Sequence, residues 1–175
     1  KNPARLLVTA LVLSGSILSA EAGPKVLVKT SQGDITIELN EEKAPETCRA
    51  FMKLLPFQNK IIHVRWSGEG CWVPLGDFQL GVGFENHTSH PSVGDVLFYP
   101  GGYSETEIIM AYGSCSFSSK MGQLAGNHFL TIIEGREHLR EVGLKTLWEG
   151  AQDVCFELME DPADDTTHGP APDAA

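Results

Sequence analysis

Residues Asn59 to Phe78 read Asn-Lys-Ile-Ile-His-Val-Arg-Trp-Ser-Gly-Glu-Gly-Cys-Trp-Val-Pro-Leu-Gly-Asp-Phe. Strand side chains alternate between two faces. Ile62, Val64 and Trp66 fall on one parity, and Ile61, His63 and Arg65 on the other. The pattern predicts a strand with an apolar face and a face carrying an imidazole and a guanidinium. Ser67-Gly68-Glu69-Gly70 is expected to break it, since glycine tolerates angles other residues avoid. Trp72 and Val73 resume an apolar run, and Pro74 to Asp77 reads as another turn. An Arg between two Trp is either a binding group or an edge residue whose stem covers an indole.

On either side, short alternating runs dominate. Lys25 to Thr30 and Ile35 to Leu39 flank the turn Ser31-Gln32-Gly33-Asp34 and predict a hairpin. Pro45 suits a first helical position, with Cys48, Phe51, Met52 and Leu55 at helical spacing and Pro56 as the stop. Further strands are expected over Gly94–Tyr99, Thr106–Tyr112, His128–Ile133 and Val154–Leu158. A second helix is expected from about Arg136 to Trp148, with Leu139, Val142 and Leu147 as core positions. Loops cover Glu85–Pro91, Ser114–Met121 and Gly122–Asn127, with Phe117 and Met121 as core or wall. About eight short strands and two helices, with turn signals every ten or so residues, predict a mainly β fold. Its expected form is a closed antiparallel barrel with the helices over its ends.

The 175 residues suffice for one domain, and 42% apolar with 21% charged content is ordinary for a folded chain. A formal charge of -10 argues against general binding to nucleic acid or anionic membrane, because phosphates would be repelled. Residues 1–22 read as an export signal: basic Lys1 and Arg5, an apolar Leu6–Leu18, and Ala20-Glu21-Ala22 suited to cleavage. The expected domain is 23–159, exported to a periplasm or the outside, and not membrane-bound once mature. A disordered acidic tail is expected over 160–175. Cys48, Cys71, Cys115 and Cys155 lack metal-ligand spacing, and stand as either disulfides in one of three pairings or buried free thiols.

The segments Val26–Leu39 and Ala44–Phe51 together resemble the opening hairpin and helix of a cyclophilin. Ile62-His63-Val64-Arg65, Gly76-Asp77-Phe78, Gly94–Gly101, Leu124–His128 and Glu134-Gly135 follow in the family's order. The middle is similar to a bacterial set of cyclophilin-like proteins of unassigned function, through Val64–Glu69, Glu85–Pro91, Tyr99–Glu107 and Gly122–His128. The resemblance implies a cyclophilin-like barrel with a proline-isomerase pocket. In it Arg65 matches the catalytic Arg, which hydrogen-bonds near the prolyl amide and lowers a barrier of ~20 kcal/mol. His128 matches the pocket His and Leu124 the apolar wall, and Tyr99 falls where a small residue of the peptide groove usually sits. The chain departs from that pattern at Pro74, in place of a Gln, at Ile109, in place of an aromatic floor residue, and at Gln123, in place of a Trp. Those changes make the site more polar.

Two functions fit these residues. In the first, the pocket binds an X-Pro or related amide ligand and catalyses prolyl isomerisation, with Arg65 and His128 as catalytic residues. In the second, it is a non-isomerase small-molecule binder, or a hydrolase of amides or imides. There Arg65 grips an anion, and Glu105, Glu107 or His128 handles protons. Trp66, Glu69, Trp72 and Ser104 complete the expected lining. Glu85, His87 and His90 sit close enough to suggest a metal, but a polar loop before Pro91 explains them better. The expected partner is a peptide or small molecule, with no cofactor or metal and no nucleic acid; the oligomeric state is left open.

Overall fold

The hairpin at the start of the domain sets the first wall of the core. β1 (Lys25–Thr30) and β2 (Gly33–Leu39) pair antiparallel, with Val26 opposite Ile37 and Val28 opposite Ile35, all fully buried. The computed structural model describes residues 23–159. The expected export signal and acidic tail lie outside the described residues.

The remaining elements are α1 (Pro45–Met52), β3 (Phe57–His63), β4 (Gly68–Gly76), β5 (His87–Thr88), β6 (Asp95–Tyr99) and β7 (Thr106–Cys115). They continue with β8 (Ser118–Ser119), β9 (Gly122–Gln123), β10 (Gly126–Glu134), a 3-10 turn, α2 (Leu139–Glu149) and β11 (Gln152–Leu158). Strand order is β2-β1-β11-β3-β4-β7-β6-β10, and β10 pairs back to β2. Every pairing is antiparallel, so eight strands close into the expected barrel. β5 extends β10, and β8 with β9 forms a separate small hairpin.

Two layers of side chains are buried. Inward residues such as Val96, Phe98, Ile108, Met110, Phe129 and Phe156 fill the barrel. On the outer face, Val64, Leu97, Tyr99, Ile109, Phe117 and Leu124 form a second cluster. Phe117 and Leu124 flank the β8–β9 hairpin, which folds back over β6 and β7. Covered on both sides, β7 is buried continuously from Thr106 to Tyr112 and shows no polar alternation.

The stretch Asn59–Phe78 departs from its expected shape. β3 ends at His63, and residues 64–67 form a bend. Ile61 points into the barrel, while Ile62 and Val64 lie toward the outer layer. His63 is not a free polar-face group: one ring nitrogen meets the Tyr112 hydroxyl at 2.7 Å and the other the Val64 carbonyl at 2.7 Å. Arg65 and Trp66 are therefore displayed by a bend, not a strand. β4 starts at Gly68 and runs straight through Pro74, where a turn was expected. Pro74 sits opposite Glu107 next to an irregularity in the ladder, which accommodates its missing N–H.

Glu85 does not belong to a metal cluster. Its two carboxylate oxygens accept the N–H groups of Glu46 and Thr47, at 2.9 and 3.0 Å, and the Thr47 hydroxyl at 2.6 Å. It serves as a remote cap for α1, whose own N-cap residue, Ala44, offers no side-chain acceptor. Burial opposes its charge, but these hydrogen bonds hold the carboxyl below its usual pKa. A depressed carboxyl stabilises above its unfolded pKa and loses that contribution as pH falls through the folded value. Glu85→Gln should cost about 1 kcal/mol at pH 7, and the difference from wild type should shrink in acid. Urea titrations at pH 7 and pH 3.5 check this; an equal cost at both would be a contrary result.

α2 lies against β3, β4 and β7 and buries Leu139, Val142, Gly143 and Thr146. Leu147, expected in the core, is off that stripe and 46% exposed. Met121, expected as wall, is 51% exposed at the tip of the β8–β9 hairpin. A Cβ on Gly143 would clash with the Cδ1–Cε1 edge of the Tyr112 ring. Gly143→Ala should therefore destabilise by ~1–3 kcal/mol, although alanine favours an open helix by about 1 kcal/mol. A stabilised variant in urea would show that the helix can move off Tyr112.

All four cysteines are free thiols. Burial pushes Cys48 up to about 12 and both Cys71 and Cys115 to about 11, so they remain protonated at neutral pH.

Candidate functional site

A cleft of about 420 Å³ opens on the outer face of β3, β4 and β7, beside the β8–β9 hairpin. Its floor follows from strand register. Ile62 pairs with Trp72, Trp72 with Ile109, and Pro74 with Glu107, so these side chains share one face. Ile62, Trp72, Pro74 and Glu107 line the cleft, and Ile109 is buried in the outer layer beside it.

One end is made by the bend carrying Arg65 and Trp66. The Val64 N–H donates to the Gly70 carbonyl at 3.0 Å, folding the bend over β4. The Ser67 hydroxyl donates to the Ser118 carbonyl and accepts the Ser118 N–H, both at 3.0 Å. That clamp brings Ser118, Ser119 and Lys120 to the same rim. The other end is built by Tyr99. Its hydroxyl accepts the N–H groups of Tyr103 and Ser104, at 3.0 and 3.2 Å, and so shapes the loop that presents Ser104 and Glu105.

Glu107 is the unusual group. It is only 7% exposed and lines the cleft, yet its carboxylate has no hydrogen-bond or ion-pair partner among the described residues. Burial, with the nearby Glu105 charge, raises it to about 8. At neutral pH it is therefore mostly protonated and able to donate. The Trp72 indole N–H is also buried without a partner. Among the described residues, Arg65 forms no ion pair. The cleft thus combines a free guanidinium, a protonated buried acid and an apolar floor.

Of the residues expected from sequence, Arg65, Trp66, Trp72, Ser104, Glu105 and Glu107 meet here. Tyr99, Ile109 and Leu124 lie in the buried outer layer. Gln123 is exposed on β9. Glu69 is used elsewhere: it accepts the Ser114 N–H at 2.9 Å and pairs with Arg140 at 3.2 Å, tying β7 to α2.

His128 does not join Arg65 in the cleft. It pairs with Leu97, which pairs with Ile109, which pairs with Trp72, placing it three strands away, roughly 14 Å. Phe117 and Leu124 pack over the intervening Leu97 and Ile109. The imidazole instead meets the Thr131 hydroxyl at 2.9 Å and Asp95 at 3.4 Å. Ile62, Val64, Ser67, Ser118, Ser119 and Lys120 line the cleft without having been expected to. The last three reach it only through the hairpin, which no local pattern announces.

Fold and site define a closed antiparallel barrel with a polar-rimmed cleft on its outer wall. The chain belongs to the family described as protein of unknown function (DUF3830), whose pattern matches residues 26–158. No curated protein matches it. Among solved structures it is similar to McbB in complex with tryptophan, at 20% identity and a TM-score of 0.61. That match covers 80% of this chain and 46% of McbB, so the chain spans less than half of that protein's length. It is also similar to the hypothetical protein AF2241 from Archaeoglobus fulgidus, at 23% identity and a TM-score of 0.53, covering 80% of this chain and 98% of the other. A cyclophilin-type peptidyl-prolyl isomerase from Cryptosporidium parvum matches at 15% identity and a TM-score of 0.49, over 79% and 99% of the two chains. At these identities the likeness to McbB and AF2241 concerns the fold alone.

Proposed function

We propose that the protein binds a small carbonyl- or carboxylate-bearing ligand in the Arg65–Glu107 cleft, with Glu107 moving a proton at that ligand. The observation that carries this reading is the unpartnered, 7% exposed Glu107 carboxyl lining a cleft that Arg65 also lines. An acid whose pKa lies near the working pH suits general acid–base chemistry. Arg65 supplies the electrophilic grip: its planar donors match a carboxylate or a polarised carbonyl oxygen. That McbB was solved in complex with tryptophan is in keeping with a small-molecule ligand. On this reading amide chemistry is the reaction class, and His128 has no contact with the ligand. Export, expected from residues 1–22, would put that chemistry outside the cytoplasm; N-terminal sequencing of the secreted chain tests it.

Prolyl isomerisation is the second reading, favoured by one feature: Ile62, Trp72 and Pro74 offer an apolar seat beside the Arg65 guanidinium. A protease-coupled assay on X-Pro peptides separates the two. The isomerase reading expects catalysis that Arg65→Ala reduces by at least tenfold. The first reading expects no isomerisation by wild type, and thermal stabilisation by small amides or carboxylates that Arg65→Ala abolishes. Stabilisation equal in wild type and Arg65→Ala would remove the cleft from both.

A further inference from the structure

Four ionisable side chains converge on the cleft: Arg65 and Lys120, and Glu105 and Glu107. None of them forms an ion pair among the described residues, with one another or with any other group. Arg65, Lys120 and Glu105 are exposed at the rim and Glu107 is buried. The backbone sets them at two ends. The 64–67 bend lies over Gly70 and is clamped to Ser118, which gathers Arg65 and Lys120 at one end. Glu107 is opposite Pro74, and Glu105 precedes it by two residues, which gathers the carboxyl groups at the other. Gly70 and Pro74 are four residues apart on β4, roughly 13 Å of strand. Ile62, Val64, Trp72 and Pro74 occupy the space between.

From this arrangement we infer that the ligand is a short peptide with both termini free, its carboxylate held by Arg65 and Lys120 and its ammonium by Glu105 and Glu107. The inference rests on reading this cleft as the ligand site, and it adds the polarity and length of the occupant. A backbone span of roughly 13 Å is within the reach of three or four extended residues at ~3.5 Å each, fewer where the long Arg65 and glutamate side chains meet the termini. The apolar floor takes a hydrophobic side chain. A bound ammonium group also favours ionisation of Glu107, which burial keeps protonated in the empty cleft. A ligand with one charged end would leave the opposite pair unmatched.

The test is calorimetric titration of the full chain with the dipeptide Phe-Ala, the tripeptide Leu-Ala-Ala, N-acetyl-Phe-Ala and Phe-Ala amide. The free peptides should bind, and acetylation or amidation should each weaken binding at least tenfold. Glu107→Gln should shrink the penalty of acetylation, with Glu105 left to hold the ammonium, while keeping that of amidation, and Arg65→Ala should do the reverse. The comparison of capped with free peptides needs only wild type, so a variant that fails to fold does not spoil it. Capped peptides binding as tightly as free ones would overturn the inference while leaving the cleft as the site. Failure of every peptide, free or capped, would overturn the inference and count against the amide-ligand reading beneath it.

Discussion

Glu107→Gln is expected to be more stable than wild type by about 3–4 kcal/mol at pH 7. The carboxyl is raised to about 8 in the folded chain, by burial first and by Glu105 second. Unfolded, it returns to the ordinary range near ~4.3. Between those values the native state holds a proton that the unfolded state has released. Stability therefore falls as pH rises through that window and levels off above about 8. Gln keeps the shape and a donor but cannot ionise, so its stability should not fall there. The two proteins should converge below about pH 4.3. Urea titrations at pH 4, 6 and 8.5 measure the divergence, and parallel curves would show that Glu107 has found a partner or solvent. A group that costs stability at neutral pH is what a functional site retains.

The second large effect concerns the packing of α1 into the barrel interior. Phe51→Ala should cost ~3–5 kcal/mol. Phe51 is 1% exposed and meets Phe129, Phe156 and Phe57 edge-on, with ring centroids 5.1, 5.7 and 6.2 Å apart. It is how α1 enters the barrel, between β10 and β11. Total stability for such a domain is typically ~5–15 kcal/mol, so the loss is a large share. Cys48 lies on the same helix, fully buried, with its thiol donating to the Phe129 carbonyl at 3.3 Å. The variant should therefore show both a lower urea midpoint and faster thiol labelling at Cys48. An unchanged labelling rate with a lowered midpoint would mean that α1 stays docked.

The barrel was legible because its signals are local. The hairpin's Val26, Val28, Ile35 and Ile37 are buried as their spacing predicts, and Pro45, Cys48 and Phe51 mark α1. The readings that failed depend on what covers a segment. Ile61 and Ile62 are both apolar, and nothing local says that the barrel interior takes one and an outer layer takes the other. Pro74 reads as a breaker, yet a ladder irregularity lets β4 pass through it. Leu147 looks like core until the helix is seen to bury the stripe through Leu139, Val142, Gly143 and Thr146.

The site was half legible for the same reason. Arg65, Trp72 and the run Ser104 to Glu107 stand out as chemistry-bearing residues near strand ends, and they meet. His128 was paired with Arg65 on resemblance, and the register of three strands separates them. Ser118 and Lys120 arrive through the clamp on Ser67, a contact across 51 residues that no spacing rule anticipates.

The most direct test is the titration of Glu107 itself, followed by the carboxyl carbon shift of labelled protein and assigned with Glu107→Gln. A buried acid in an open cleft should titrate with a midpoint near 8. A midpoint near ~4.3, the value of a solvated glutamate, would contradict the account.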